Sequence, residues 1–242
     1  MDARFKHPIT GIIAGPSGGG KTTFICKLLD YQEIYFDIKF KYIVFYIGTT
    51  IYENPIVQQF IEENSHAYVI EINQKYKDKE FETNFKKDFL KDCKDRGEDG
   101  CIVFDDMMQE LSNCGILSNL FTKYSSHYKL SIFHITQNLF FKSKKDPNEH
   151  VTLYRNTHML VLFKNPLDSS VASLVARRLA SGKKYTLVLN MINKVLDKYR
   201  YIIINGGFKR DSAIQYVTDI FNESPTLHMK VMTLVEEDQD SE

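Results

Sequence analysis

A chain of 242 residues with 43% hydrophobic and 26% charged residues suits one sizeable α/β domain, and this usage excludes fibrous and intrinsically disordered classes. Its 31 Lys and Arg balance 31 Asp and Glu, yet Glu236 to Glu242 carry five acids and no base, so the body before them carries +5. A bias of that size does not by itself establish nucleic-acid binding. The four cysteines, Cys26, Cys93, Cys101 and Cys114, form no Cys-x-x-Cys pair, which points to inert thiols rather than zinc ligands or disulfides. The first residues lack an apolar signal region, and no stretch is long enough to span a bilayer. The setting expected is therefore intracellular and reducing, with no membrane partner and with nucleus and cytoplasm equally open.

In chain order, apolar runs rich in β-branched and aromatic residues predict strands at Ile9 to Ala14, Tyr42 to Ile47, Tyr68 to Ile72, Cys101 to Phe104, Leu130 to Ile135, Met159 to Phe163 and Tyr201 to Ile204. Helical spacing lies between them. Phe24, Ile25, Leu28 and Leu29 form one stripe, and Phe81, Phe85 and Phe89 form another, opposite Lys86, Lys87, Lys91 and Lys94. Ile116, Leu117, Leu120, Phe121 and Tyr124 make a third, and Val171, Leu174 and Val175 a fourth, with Asp168 as its expected N-cap. This alternation predicts an α/β fold with a mainly parallel sheet and helices on both faces. Residues 1–225 are expected to form the domain, and 226–242 a peripheral segment ending in the acidic tail.

Gly15, Pro16, Ser17, Gly18, Gly19, Gly20, Lys21 and Thr22 fit G-x-x-x-x-G-K-[ST], with Thr23 following, between a strand and a helical stripe. That is the P-loop: glycines let backbone N–H groups and a helix N-terminus surround phosphates, Lys21 reaches the β- and γ-phosphates of ATP, and Thr22 turns its hydroxyl to Mg²⁺. The strand Cys101 to Phe104 runs into Asp105 and Asp106. Asp105 is assigned to the Mg²⁺ shell, and Asp106 either polarises the attacking water or caps a following helix. The run Leu130 to Ile135 ends in Thr136, Gln137 and Asn138. Gln137 stands where α/β sheets place ligands, to sense the γ-phosphate or orient water, unless it is an ordinary polar strand end. His134 reads as a core residue.

The ordered set of this P-loop, Ile-Val-Phe-Asp-Asp-Met-Met (102–108), Ile-Thr-Gln-Asn (135–138), Tyr154-Arg-Asn156 and Leu160 to Asp168 resembles the DNA-packaging ATPases of the FtsK/HerA superfamily, found in poxvirus-like large DNA viruses and Maverick/Polinton-type elements. The resemblance covers about residues 9 to 206. It implies a P-loop ATPase of the additional-strand type, with a strand inserted between the P-loop strand and the Asp-Asp strand. It further implies a homo-oligomeric ring that moves double-stranded DNA into a capsid, with a capsid or portal-vertex protein as partner, and an arginine that reaches the neighbour's γ-phosphate. Arg155 is the candidate, with Arg178 in reserve; a surface or phosphate-contacting role for Arg155 is the alternative. Many such relatives carry Glu where this chain has Asp106, whose carboxylate is one methylene shorter. From the chain's extent, no fused nuclease or membrane domain is expected. Two other functions compete. A P-loop nucleoside or nucleotide kinase would need an arginine-rich lid, whereas only Arg177 and Arg178 adjoin, and a passive nucleotide-binding assembly protein would have no use for Asp105, Asp106 and Gln137 together. The basic loop Lys142-Ser-Lys-Lys145 is a candidate DNA contact or a solvated loop.

Overall fold

The computed structural model describes residues 4–72, 81–105, 107, 111, 116–140, 149–206, 216–221 and 230–231. In chain order the elements are β1 (Thr10–Ala14), α1 (Lys21–Asp30), α2 (Gln32–Tyr35), β2 (Tyr42–Ile47), α3 (Pro55–Glu63), β3 (Ala67–Glu71), α4 (Phe81–Arg96) and β4 (Gly100–Asp105). A composite helix α5 follows, made of Leu117–Asn119, a π-helical turn Leu120–Tyr124 and Ser125–Tyr128. Then come β5 (Leu130–Thr136), α6 (Glu149–Arg155), β6 (Met159–Phe163), α7 (Ser170–Leu179), α8 (Lys183–Tyr199), β7 (Tyr201–Asn205), β8 (Tyr216–Thr218) and β9 (Lys230–Val231).

Among the described residues these strands form one nine-stranded sheet in the order β3-β2-β4-β5-β1-β6-β7-β8-β9. The six strands from β3 to β6 are parallel, and β7, β8 and β9 add antiparallel at one side. The protein is thus an α/β P-loop-type fold, and β5 is the strand inserted between β1 and β4. Every residue of β1, β2, β4, β5 and β6 is buried. Strands covered on both faces need no polar alternation, which is why they read as unbroken apolar runs.

Successive side chains point to opposite faces, and the core accordingly divides in two. On one face Ile12, Phe104 and Ile132 pack with Phe85 and Phe89 of α4, Leu117 and Leu120 of α5, and Val188 and Ile192 of α8. On the other face Ile13, Phe45 and Phe133 pack with Phe24 and Leu28 of α1 and with Val57 and Phe60 of α3. Helices therefore cover both faces. Tyr46 and Phe104 stack with ring centroids 5.3 Å apart, and Phe85 meets Tyr46 edge-on at 5.7 Å.

All seven expected strands are present, with ends moved by about a residue. The helix expected to be capped by Asp168 instead begins at Ser170 with Ser169 as N-cap, and the Asp168 carboxylate accepts from the backbone N–H of Ser170. A carboxylate satisfies a helix's first free N–H from either place. Six elements were not anticipated, the short helices α2 and α6 among them. β8 and β9 are too short to carry a pattern. Helix α3 has a legible start signal in Asn54-Pro55, and α8 carries Val188, Ile192 and Val195 on one buried face at helical spacing.

The carboxyl ends of the central strands lie side by side. Ala14 at the end of β1 is level with Thr136 at the end of β5, and Ile47 at the end of β2 is level with Asp105 at the end of β4. Side chains and loops just beyond these four ends share one crevice, the usual ligand position in open α/β sheets.

Candidate functional site

The loop from Gly15 to Gly20 joins the end of β1 to the start of α1. Gly15 donates its N–H to Thr136 O across the β1–β5 pair (3.2 Å), and a Cβ on it would come within 2.5 Å of Phe163 Cβ on β6. Gly18 and Gly20 have φ of 69° and 90°, a region that side chains strain to enter, and Gly20 is the N-cap of α1. Pro16 O accepts both the Gly19 N–H (3.1 Å) and the Lys21 ammonium (2.7 Å), so the loop closes around its own lysine. Lys21 is 9% exposed.

Thr22, one residue into the helix, donates its hydroxyl to Asp105 Oδ2 at 2.9 Å, and Asn54 Nδ2 donates to the same oxygen at 3.3 Å. Asp105 is 5% exposed, and its backbone carbonyl accepts Gly48 N–H, which joins the β2 and β4 ends. A cleft of about 680 Å³ opens over this group, lined by Ser17 to Thr23, Thr49, Asn54, Asp105 and Gln137. Gln137 is exposed just beyond β5, after a turn in which Thr136 Oγ1 accepts the Asn138 N–H. A second cavity of about 460 Å³ lies on the other side of Gln137, lined by Gly15, Asn138, Lys164, Asn165 and Asp168. The Phe-Lys-Asn-Pro-x-Asp segment thus abuts the P-loop as well.

These residues fit a nucleoside triphosphate with its divalent cation. Backbone N–H groups without covering side chains and a lysine suit phosphate oxygens. A hydroxyl and a carboxylate 2.9 Å apart are the hard oxygen donors that Mg²⁺ prefers, and Mg²⁺ takes few protein ligands beside phosphate and water.

Of the residues singled out from the sequence, the cleft gathers Ser17, Gly18, Gly19, Gly20, Lys21, Thr22, Thr23, Asp105 and Gln137, while Gly15 and Pro16 support its floor. Asp106 lies outside the described residues, as do Lys142, Lys144 and Lys145. Arg155 is exposed at the end of α6, away from this cleft. Its neighbour Asn156 accepts the hydroxyl proton of Thr10, at the start of β1, whereas the P-loop leaves the other end of that strand. The two ends are about 13 Å apart at the usual rise. Arg178 is held within its own chain, its Cζ 5.0 Å from the Phe140 ring centroid and 4.9 Å from that of Tyr154.

His134 is fully buried in β5 between Ile12 and Phe104, and among the described residues neither ring nitrogen has a hydrogen-bond partner. Burial holds its pKa down at about 4, so it is a neutral core side chain. Cys26, Cys93 and Cys101 are buried and free, and burial pushes each thiol well above its ordinary range. Asn54 is the site residue the sequence did not reveal: Asn-Pro marks a helix start, but only the β2–β4 pairing brings that start to Asp105.

No helix among the described residues is long and apolar enough to cross a membrane. A search of curated proteins finds no match. The profile of the family described as Poxvirus A32 protein matches residues 2–146, which includes the P-loop, β4 with Asp105, and β5 with Gln137. That match takes in more than half of the sequence and every strand bordering the cleft, and the chain belongs to the poxvirus A32 protein family.

Proposed function

We propose that this protein is an ATP-hydrolysing motor of the FtsK/HerA type that moves double-stranded viral DNA into a capsid as a homo-oligomeric ring. One observation carries most of the weight. The Lys21 loop, the Thr22–Asp105 pair and Gln137 face one cleft, and Gln137 reaches it on a strand inserted between β1 and β4. Family membership and the Phe-Lys-Asn-Pro segment beside the loop support the packaging role.

In this proposal Lys21 and the loop N–H groups bind the triphosphate and hold charge that builds on its transferring group. Thr22 and Asp105 hold Mg²⁺, which, when bound, neutralises phosphate charge. Asp106 takes the proton of the attacking water, and Gln137 orients that water. Arg155 lies at the far end of β1 from its own P-loop, so its part in the reaction is played at a neighbouring copy. The partners expected are duplex DNA, further copies of the chain, and a capsid or portal-vertex protein.

The test is ATP turnover of the purified protein with and without duplex DNA, beside its mass in solution. Stimulation by DNA of any sequence, falling steeply as salt rises, in an assembly larger than a monomer is the expected result. Turnover indifferent to DNA, with a nucleoside phosphorylated instead, would overturn the motor in favour of a kinase.

A further inference from the structure

Between Asp168 and Asp197 the chain contains no acidic residue, but it contains Arg177, Arg178, Lys183, Lys184 and Lys194. That interval holds α7 and all but the last turn of α8, where Asp197 pairs with Lys164 at 2.8 Å. Its inward face is apolar, with Ala172, Val175 and Ala176 buried on α7 and Val188, Ile192 and Val195 on α8, while all five cations are exposed. The contrast with α4 is informative. There Lys86, Lys87, Lys91 and Lys94 alternate with Asp88, Asp92 and Asp95, and Arg96 pairs with Asp92 at 2.8 Å, as expected of a helix face that only meets water. Exposed cations with no acid between them along the chain suit an anionic partner.

Two features order these cations in advance. The Arg177 guanidinium lies over the Tyr185 ring at 5.8 Å, and that of Arg178 sits between the Phe140 and Tyr154 rings. A guanidinium already held on aromatic faces loses less freedom on meeting phosphate. Gly182, with φ of 60°, turns the chain tightly enough that Lys183 and Lys184 open α8 at its positive end.

We propose that the outer face of the α7–α8 hairpin is a contact surface for the phosphate backbone of duplex DNA, a deeper statement of the motor function above and dependent on it. From Lys184 to Lys194 the helix rises about 15 Å, a length over which duplex DNA carries about nine phosphates. Such contacts grip without reading bases, as a translocating motor requires. The Arg178 stack also joins this face to the catalytic end of the sheet, because Phe140 lies three residues beyond Gln137.

The test measures the affinity of the full-length protein for short duplexes of unrelated sequence by fluorescence anisotropy over a range of salt. The wild type is compared with Lys183→Gln/Lys184→Gln and Lys183→Glu/Lys184→Glu. The glutamine pair should weaken binding about tenfold for every sequence and reduce the slope of log affinity against log salt by about two, and the glutamate pair should weaken it further. Melting temperature, mass in solution and DNA-free ATP turnover should stay unchanged. Unchanged affinity and slope in variants of a wild type that does bind DNA would overturn the hairpin surface and leave the motor standing. Loss of binding together with a fall in mass would make the hairpin a subunit interface and overturn it equally. A wild type that binds no duplex at low salt removes the motor itself.

Discussion

Thr22 and Asp105 meet across a hydrogen bond that joins the first turn of α1 to the end of β4, and Lys21 sits one residue before it. Lys21→Ala removes the cation that the proposed mechanism sets against phosphate, so ATP turnover should fall roughly 100- to 1,000-fold. Its melting temperature should hardly change, because the side chain belongs to the loop and not to either apolar core; near-normal turnover would contradict the role. Asp105→Ala should impair Mg²⁺-dependent nucleotide binding as well as turnover, whereas Asp106→Asn should retain bound ATP and lose hydrolysis. Equal loss of affinity in both, measured by titration with a fluorescent ATP analogue, would refute that division. His134 makes a different prediction. Its folded pKa of about 4 lies below the ordinary value of 6.5, so the unfolded chain takes up the proton more readily. The associated stability is complete above about pH 6.5 and is lost as pH falls towards 4, roughly 3 kcal/mol over that window. Denaturant unfolding at several pH values should show a shallower acid slope for His134→Leu than for the wild type.

Helix α3 connects fold and site at the next scale. Its N-cap, Asn54, accepts the Val57 N–H through Oδ1 and donates to Asp105 through Nδ2, so one amide opens the helix and orients the carboxylate. Asn54→Ala should cost about 1 kcal/mol of stability through the lost cap. It should also raise the Mg²⁺ concentration needed for half-maximal turnover. A variant destabilised as expected but with unchanged Mg²⁺ dependence would confine Asn54 to the helix. The strands were legible because burial on both faces leaves an apolar run with no competing pattern. Helices α1, α4 and α7 and the composite α5 were legible from their stripes. β8 and β9, of three and two residues, were not, because so short a segment is strand only by virtue of the edge it pairs with.

At the scale of the whole molecule, Arg155 and the P-loop stand at opposite ends of β1, which is why the proposal has Arg155 act on the phosphate of a neighbouring copy. Arg155→Ala protein should bind ATP normally and hydrolyse it poorly. Mixed with Lys21→Ala protein, it should regain part of the activity at interfaces that pair an intact loop with an intact arginine. Absence of recovery in assemblies shown by mass to be mixed would count against Arg155.

The P-loop, the strand ending in Asp105, the Gln137 strand end and the parallel α/β class were all present in the sequence by itself. Each rests on local chemistry: a backbone that needs glycine, a cation and hydroxyl at fixed spacing, and carboxylates where an apolar run stops. Tertiary structure alone decided that Asn54 reaches Asp105, that Arg178 is engaged by Phe140 and Tyr154, and that Arg155 lies at the far end of β1. The physical reason is strand order. Neighbours in the sheet are far apart in the chain, so which loops share a crevice depends on how the strands pair, and no local pattern encodes that pairing.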